Sequence, residues 1–170
     1  MTSGRFLRGA WIVLLLAPVA CEPGADPVVQ RPGEPDVVLL GGEDEEMNRA
    51  MAEARETIGE FIERLARAPE EQTTLSLKVR FEEGEIIEHI WIEPSAHENG
   101  LFAGIVANEP LDLVEIELGE PVRVPLDRVS DWLAVENGRL VGGYTLRVLR
   151  DRMSAEERDA FDRETGLIIE

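Results

Sequence analysis

The apolar residues of this chain change their period at Pro69, and that switch limits what the chain can fold into more than any other feature. From Asp44 to Ala68 they fall at Met47, Met51, Ala54, Ile58, Phe61, Ile62 and Leu65, a spacing of three and four that lines one face of a helix. The acidic run Glu43-Asp44-Glu45-Glu46 lies at the positive end of that helix's dipole, and Pro69 stops it. Beyond Pro69 the period is two. Leu75, Leu77, Val79 and Phe81 alternate with Ser76, Lys78 and Arg80, the pattern of a half-buried strand. A long helix followed by alternating strands is the pattern of a helix packed on an antiparallel sheet.

The remaining strands follow from the same reading. Glu82–Glu85 turns the chain, and Ile86–Glu93 returns with Ile87, His89 and Trp91 on one side and Ile86, Glu88, Ile90 and Ile92 on the other. Apolar residues on both sides predict a central strand. After a loop over 94–100, strands are expected at Leu101–Ala107, Leu113–Leu118 and Pro121–Pro125. Ser130–Glu136 and Arg139–Val141 form a hairpin around Asn137-Gly138, a pair suited to the left-handed conformations of a type I′ turn. Tyr144–Arg152 resumes helical spacing, and Ser154 with Glu157 makes a capping box that starts a last helix through about Glu164. The expected class is α+β: a long N-terminal amphipathic helix packed on a curved antiparallel sheet or small open barrel of about five or six strands, with short C-terminal helices.

The first quarter of the chain reads as an address rather than a fold. Arg5 and Arg8 precede the apolar run Trp11–Ala17, too short for the roughly 20 residues of a membrane-spanning helix, and Pro18-Val19-Ala20 leads to Cys21. This resembles the lipobox of bacterial lipoproteins, with Pro18 where the box usually has Leu, and implies acylation of Cys21. An ordinary cleaved leader and simple secretion are the alternative. Pro23, Pro27, Pro32 and Pro35 with Gly24 and Gly33 then favour extended chain, as a tether requires. The expected organisation is a leader over 1–20, an anchor and tether over 21–42, and a single domain over 43–170, placed in the cell envelope.

Charge excludes partners. The chain carries 35 acids and 17 basic residues, a net charge of −18. Without the two leader arginines the balance is −20, which argues against nucleic acid and against adsorption on anionic headgroups, leaving covalent lipid as the expected membrane link. Lys78 is the only lysine, a compositional bias that marks no function by itself. With one cysteine, no disulfide forms within one chain.

Several phrases together resemble a bacterial family known as domain of unknown function 2314, which includes the YegJ-related proteins. They are Glu88-His89-Ile90-Trp91; Phe102-Ala103-Gly104 followed by Asn108-Glu109-Pro110; Leu118-Gly119-Glu120 ahead of Val122; Ser130-Asp131-Trp132; and Glu136-Asn137-Gly138 leading to Gly142-Gly143-Tyr144 and Arg147. Glu120 stands where Asp is expected. The resemblance spans about Asp44 to Phe161 and implies a fold and a bacterial source, with no reaction or catalytic residues to carry over.

The chemistry-bearing residues point in several directions. His89 and Asp131 could act as a general base and its orienter in a hydrolase, though no spacing requires them to meet. His89 and His97 fall short of a recognisable metal pattern, and no metal or cofactor is expected. Trp91 and Trp132 could stack on a ligand, with core packing the commoner fate of such aromatics. Arg147 and Arg150, with Arg139 and Arg152, could form an anion-binding patch, pair with the acidic helix, or face helix carbonyls. The expectation is a non-enzymatic binding or accessory domain, tethered through Cys21, for a protein or envelope component. The alternatives are the hydrolase and an acidic immunity- or inhibitor-type protein for a basic partner.

Overall fold

The computed structural model describes residues 44–67 and 73–170, together with the backbone of the short antiparallel pair β1 (Val28–Val29) and β2 (Val37–Val38). The expected leader, Cys21 and most of the tether lie outside the described residues.

The chain's helical stripe forms two helices rather than the single long one expected. α1 (Glu45–Glu56) begins at Asp44, whose carboxylate accepts the Met47 amide at 3.0 Å, with Glu45 and Glu46 in the first turn. It ends at Thr57, and α2 (Ile58–Ala66) follows at once. The break has a tertiary cause. The Trp132 indole N–H donates to the Ala54 carbonyl at 3.1 Å and to Thr57 Oγ1 at 3.0 Å, so the acceptor that Ile58 would use in a continuous helix is engaged by the sheet. The apolar stripe still faces inward, with Met47, Ala50, Ala54, Ile58 and Phe61 buried.

Six strands make one open antiparallel sheet: β3 (Thr73–Glu83), β4 (Ile86–Glu98), β5 (Leu101–Val106), β6 (Pro121–Pro125), β7 (Val129–Glu136) and β8 (Arg139–Gly142). Their order is β6-β5-β4-β3-β7-β8, so β4 is interior, as its two apolar faces predict, and the sheet does not close into a barrel. α1 and α2 cover one face. There Leu75, Leu77, Val79, Ile92, Phe102, Val124, Val129, Trp132 and Ala134 pack with Ala54, Ile58 and Phe61. Burying such side chains stabilises by about 1.5–3 kcal/mol each, the main favourable term in a chain without a disulfide.

Two strand expectations change. β4 does not stop at Glu93 but bulges between Pro94 and Ala96 and runs on to Glu98, turning into β5 through Asn99 and Gly100, both left-handed. The bulge brings β5 so close that a Cβ on Gly104 would meet the Glu93 carbonyl oxygen at 2.4 Å. The expected strand at Leu113–Leu118 is instead irregular loop. Its backbone donors are taken by side chains: Glu88 accepts from Leu111, Asp112 and Leu113, and Glu83 from Val114 and Glu115. Alternating apolar residues could not make a strand where two carboxylates hold five successive amides.

From Val129 onward the chain follows the sequence closely. Asn137 and Gly138 take left-handed φ of 52° and 79° in the β7–β8 turn. α3 (Tyr144–Arg152) packs on α1, and α4 (Ala155–Thr165) starts with the Ser154–Glu157 capping box. Arg152 binds Asp44 and Glu46, joining α3 to the acidic start of α1.

Candidate binding face

The strand register sorts the expected site residues onto two faces. Leu77 stands opposite both Ile92 and Trp132, which places Trp132 on the helix-covered side. It is wholly buried against Phe61 and Tyr144 and is not a ligand platform. A Cβ on Gly142 would lie 2.5 Å from the Trp132 carbonyl oxygen and 2.7 Å from its ring, so Gly142 is the clearance this indole needs, while a Cβ on Gly143 would press on Leu140.

The other face holds Ser76, Lys78, Arg80 and Glu82 of β3, Ile87, His89, Trp91 and Glu93 of β4, and Leu101, Ala103 and Ile105 of β5. None of these is buried. Two rows cross it. In one, Lys78 stands between Trp91 and Asp131, its ammonium 5.4 Å from the Trp91 ring centroid. In the next, Arg80 pairs with His89, and Glu82 binds Arg80 and Arg128. The chain's single lysine, unremarkable in composition, therefore lies between an aromatic ring and a carboxylate. Its one sequence signal is an alternating position on β3. The partners across the sheet come from segments 13 and 53 residues away, a pairing that only the register reveals.

Asp131 and His89 share this side of the sheet, and the bonds of the Asp131 carboxylate go to α3 and its own strand. One Asp131 oxygen accepts the Trp132 and Tyr144 amides at 2.8 and 3.1 Å, and the other accepts the Thr145 amide and hydroxyl at 2.8 and 2.6 Å. The carboxylate is thereby spent as the cap of α3, whose own N-terminal Gly143 has no side chain to cap with. Burial raises its pKa, opposed by the Thr145 hydroxyl, the Lys78 charge and the amides. Lys78 is partly exposed, yet loss of hydration around its ammonium lowers its pKa against the attraction of Asp131. His89 keeps an exposed surface, but loss of hydration, then Lys78, Arg80 and Arg55, holds its pKa down to about 4. At neutral pH it is an uncharged imidazole among cations.

The arginines of the expected anion patch are also engaged. Arg147 binds the carbonyls of Gly142, Leu140 and Glu170, and Arg150 makes two bonds of 2.7 and 2.6 Å to Asp162. His97 lies on the covered side, its ring 4.5 Å from that of Phe102. The described residues contain no group of three or more His, Cys, Asp or Glu placed to hold a metal ion.

The phrases picked out in the sequence thus meet in space as fold-building contacts. Glu88 holds the loop after Asn108-Glu109-Pro110, and the Asn108 side chain accepts the Trp91 amide at 2.8 Å. Ser130 Oγ donates to the Lys78 carbonyl, and Asp131 and Trp132 organise Gly142-Gly143-Tyr144. Fold and face together define a class, the α+β domains in which helices pack on one side of an antiparallel sheet; among the described residues no helix lies on the other side.

Within that class the chain belongs to the family described as "Uncharacterized protein conserved in bacteria (DUF2314)", which matches residues 44–168. It is 36% identical over 143 residues to a Neisseria meningitidis serogroup B protein named for ankyrin repeats, covering 79% of this chain and 56% of that protein. The chain thus spans about half the length of this relative. It is 28% identical over 125 residues to the protein YegJ of Escherichia coli K12, covering 73% of this chain and 80% of YegJ. No solved structure matches.

Proposed function

We propose that this protein is a non-enzymatic binding domain of the cell envelope, tethered through an acylated Cys21, that takes its partner on the face centred on Trp91, Lys78 and His89. The observation that supports the reading is the division of labour within the family-like phrases. Glu88, Asn108, Asp131, Trp132, Gly142 and Arg147 are committed to loops, caps and close packing. Trp91 and His89 come from the same phrases but stand on the face that no helix covers among the described residues, beside the exposed Ile87 and Ile105. A tryptophan with exposed isoleucines at the surface of a sheet, rimmed by charged residues, suits a partner's contact.

The hydrolase reading loses its base-orienter pair, because Asp131 has given its oxygens to the start of α3. The tether rests on the leader and on the Pro- and Gly-rich stretch after Cys21. Replacing Cys21 by Ser should release the protein from membranes and abolish incorporation of labelled palmitate, with the thermal transition unchanged. Membrane retention that still depends on acyl labelling in Cys21→Ser would refute the anchor.

A further inference from the structure

We infer that the row of Lys78 and Trp91 receives a single carboxylate carried at the centre of an extended, otherwise apolar peptide segment. The inference rests on the binding-domain reading and names its partner's chemistry.

Lys78 is a sheltered cation without an acceptor. Among the described residues its ammonium makes no hydrogen bond or ion pair, and its neighbour is the Trp91 ring, 5.4 Å to the centroid. Arg49, Arg123 and Arg163 also bind no carboxylate or carbonyl among these residues, but they are exposed and water serves them. Lys78 is only partly exposed, and a ring face attracts the charge without taking up any of its three N–H donors. The carboxylate opposite it in the register does not serve either. Asp131 has its oxygens on the Trp132, Tyr144 and Thr145 amides and the Thr145 hydroxyl, so it attracts the ammonium without bonding it.

The next row adds positive charge. Arg80 stands opposite His89, and Glu82 binds both Arg80 and Arg128, one carboxylate against two guanidinium groups. His89 registers the excess: loss of hydration first, then Lys78, Arg80 and Arg55, keeps its ring uncharged. In a chain of net charge −18 this is a local cationic surface, and it selects an anion.

The flanks of that surface select the kind of anion. Ile87 precedes Trp91 on β4, and Ile105 stands opposite Glu93 beyond it. By the register these exposed isoleucines are about 20 Å apart at ~3.3 Å per residue, a span that an extended peptide covers and a free carboxylate or phosphate does not. Acids close both ends, Glu82 opposite Ile87 and Glu93 opposite Ile105, whereas Lys78 and Arg80 occupy the middle. A segment with one central acid and apolar residues toward its ends matches that order. A second acid at either end meets repulsion.

The test uses the full chain carrying Cys21→Ser, on which random heptapeptides displayed on phage are selected. Selected peptides should carry one Asp or Glu between apolar residues, and changing that acid to its amide should weaken binding by about tenfold or more, the worth of one charge-assisted hydrogen bond. Because Lys78 is the only lysine, trace acetylation followed by mass spectrometry reads it directly, and bound peptide should slow its modification by a similar factor. Both readouts use the unaltered side chain and stand even where a variant fails to fold. Lys78→Met should lose the same affinity with the thermal transition kept, and Lys78→Arg should keep most of it. Peptides that need no acid, or that leave Lys78 acetylation unchanged and bind Lys78→Met as tightly, would overturn the inference. If Trp91→Ser still weakens those peptides the binding-domain reading stands, and if it does not, both fall. Selection that yields no peptide overturns both.

Discussion

The two sides of the sheet are written in the same alternating code and have opposite fates. On the covered side, Leu77, Val79, Ile92, Phe102 and Trp132 reach 0% exposure beneath two helices. On the other side, Lys78, Arg80, His89 and Trp91 occupy the alternate positions of the same strands and remain half-buried or exposed. Alternation alone says that one side is wetter. It does not say that the wetter side would carry a tryptophan, a desolvated lysine and a histidine held neutral. On the proposed reading, stability and recognition use different atoms of the same strands, and substitutions should separate them.

The largest effect belongs to the covered side. Trp132→Ala removes an indole that packs on Phe61 and Tyr144 and bonds the α1–α2 break, and should cost about 3–5 kcal/mol in denaturant unfolding. Next is Asp131→Ala, which strands three amides and the Thr145 hydroxyl at a buried helix start; a loss of about 3 kcal/mol is expected by the same measurement. A loss near zero for Asp131→Ala would mean that its carboxylate is held for chemistry rather than for α3, and would revive the hydrolase.

Arg152→Ala tests a surface junction and should be smaller. The Arg152 guanidinium, then the Met47 amide, holds Asp44 down to about 2. A depressed carboxylate stabilises the fold above its ordinary value of 3.8 and loses that contribution as pH falls toward 2. The pair is partly solvated, so about 1 kcal/mol or less is expected at neutral pH, with the variant showing a shallower acid limb between those values. NMR titration should find Asp44 moved back toward its ordinary pKa. The smallest effect on stability should come from Trp91→Ser, under about 1 kcal/mol, because the residue is only partly buried.

Most of the architecture was legible because it is local. The helical stripe, the strand at Leu75–Phe81, the Asn137-Gly138 turn and the Ser154 capping box each depend on residues within a few positions of one another. What was not legible depends on distant partners. Trp132 breaks a helix whose Ala54 lies 78 residues before it, and Glu88 dissolves a strand pattern about 25 residues downstream. The site followed the same rule. His89, Trp91 and Asp131 could be named from the sequence, but only the register separates the buried Trp132 from the accessible Trp91. Asp131 became a cap once the chain brought Tyr144 and Thr145 to it. Pro94 looked like the start of a loop and instead lies within β4, at its bulge.

The central claim is that recognition belongs to the uncovered side of the sheet, and it can be tested by position-specific crosslinking in the bacterial envelope. A photoreactive phenylalanine analogue at position 91 is compared with one at Arg163, in the last turn of α4. Position 91 should give a discrete crosslinked species that disappears when Ile87 and Ile105 are both changed to Asp, and position 163 should give none. Crosslinking from position 163 with none from position 91 would contradict the account.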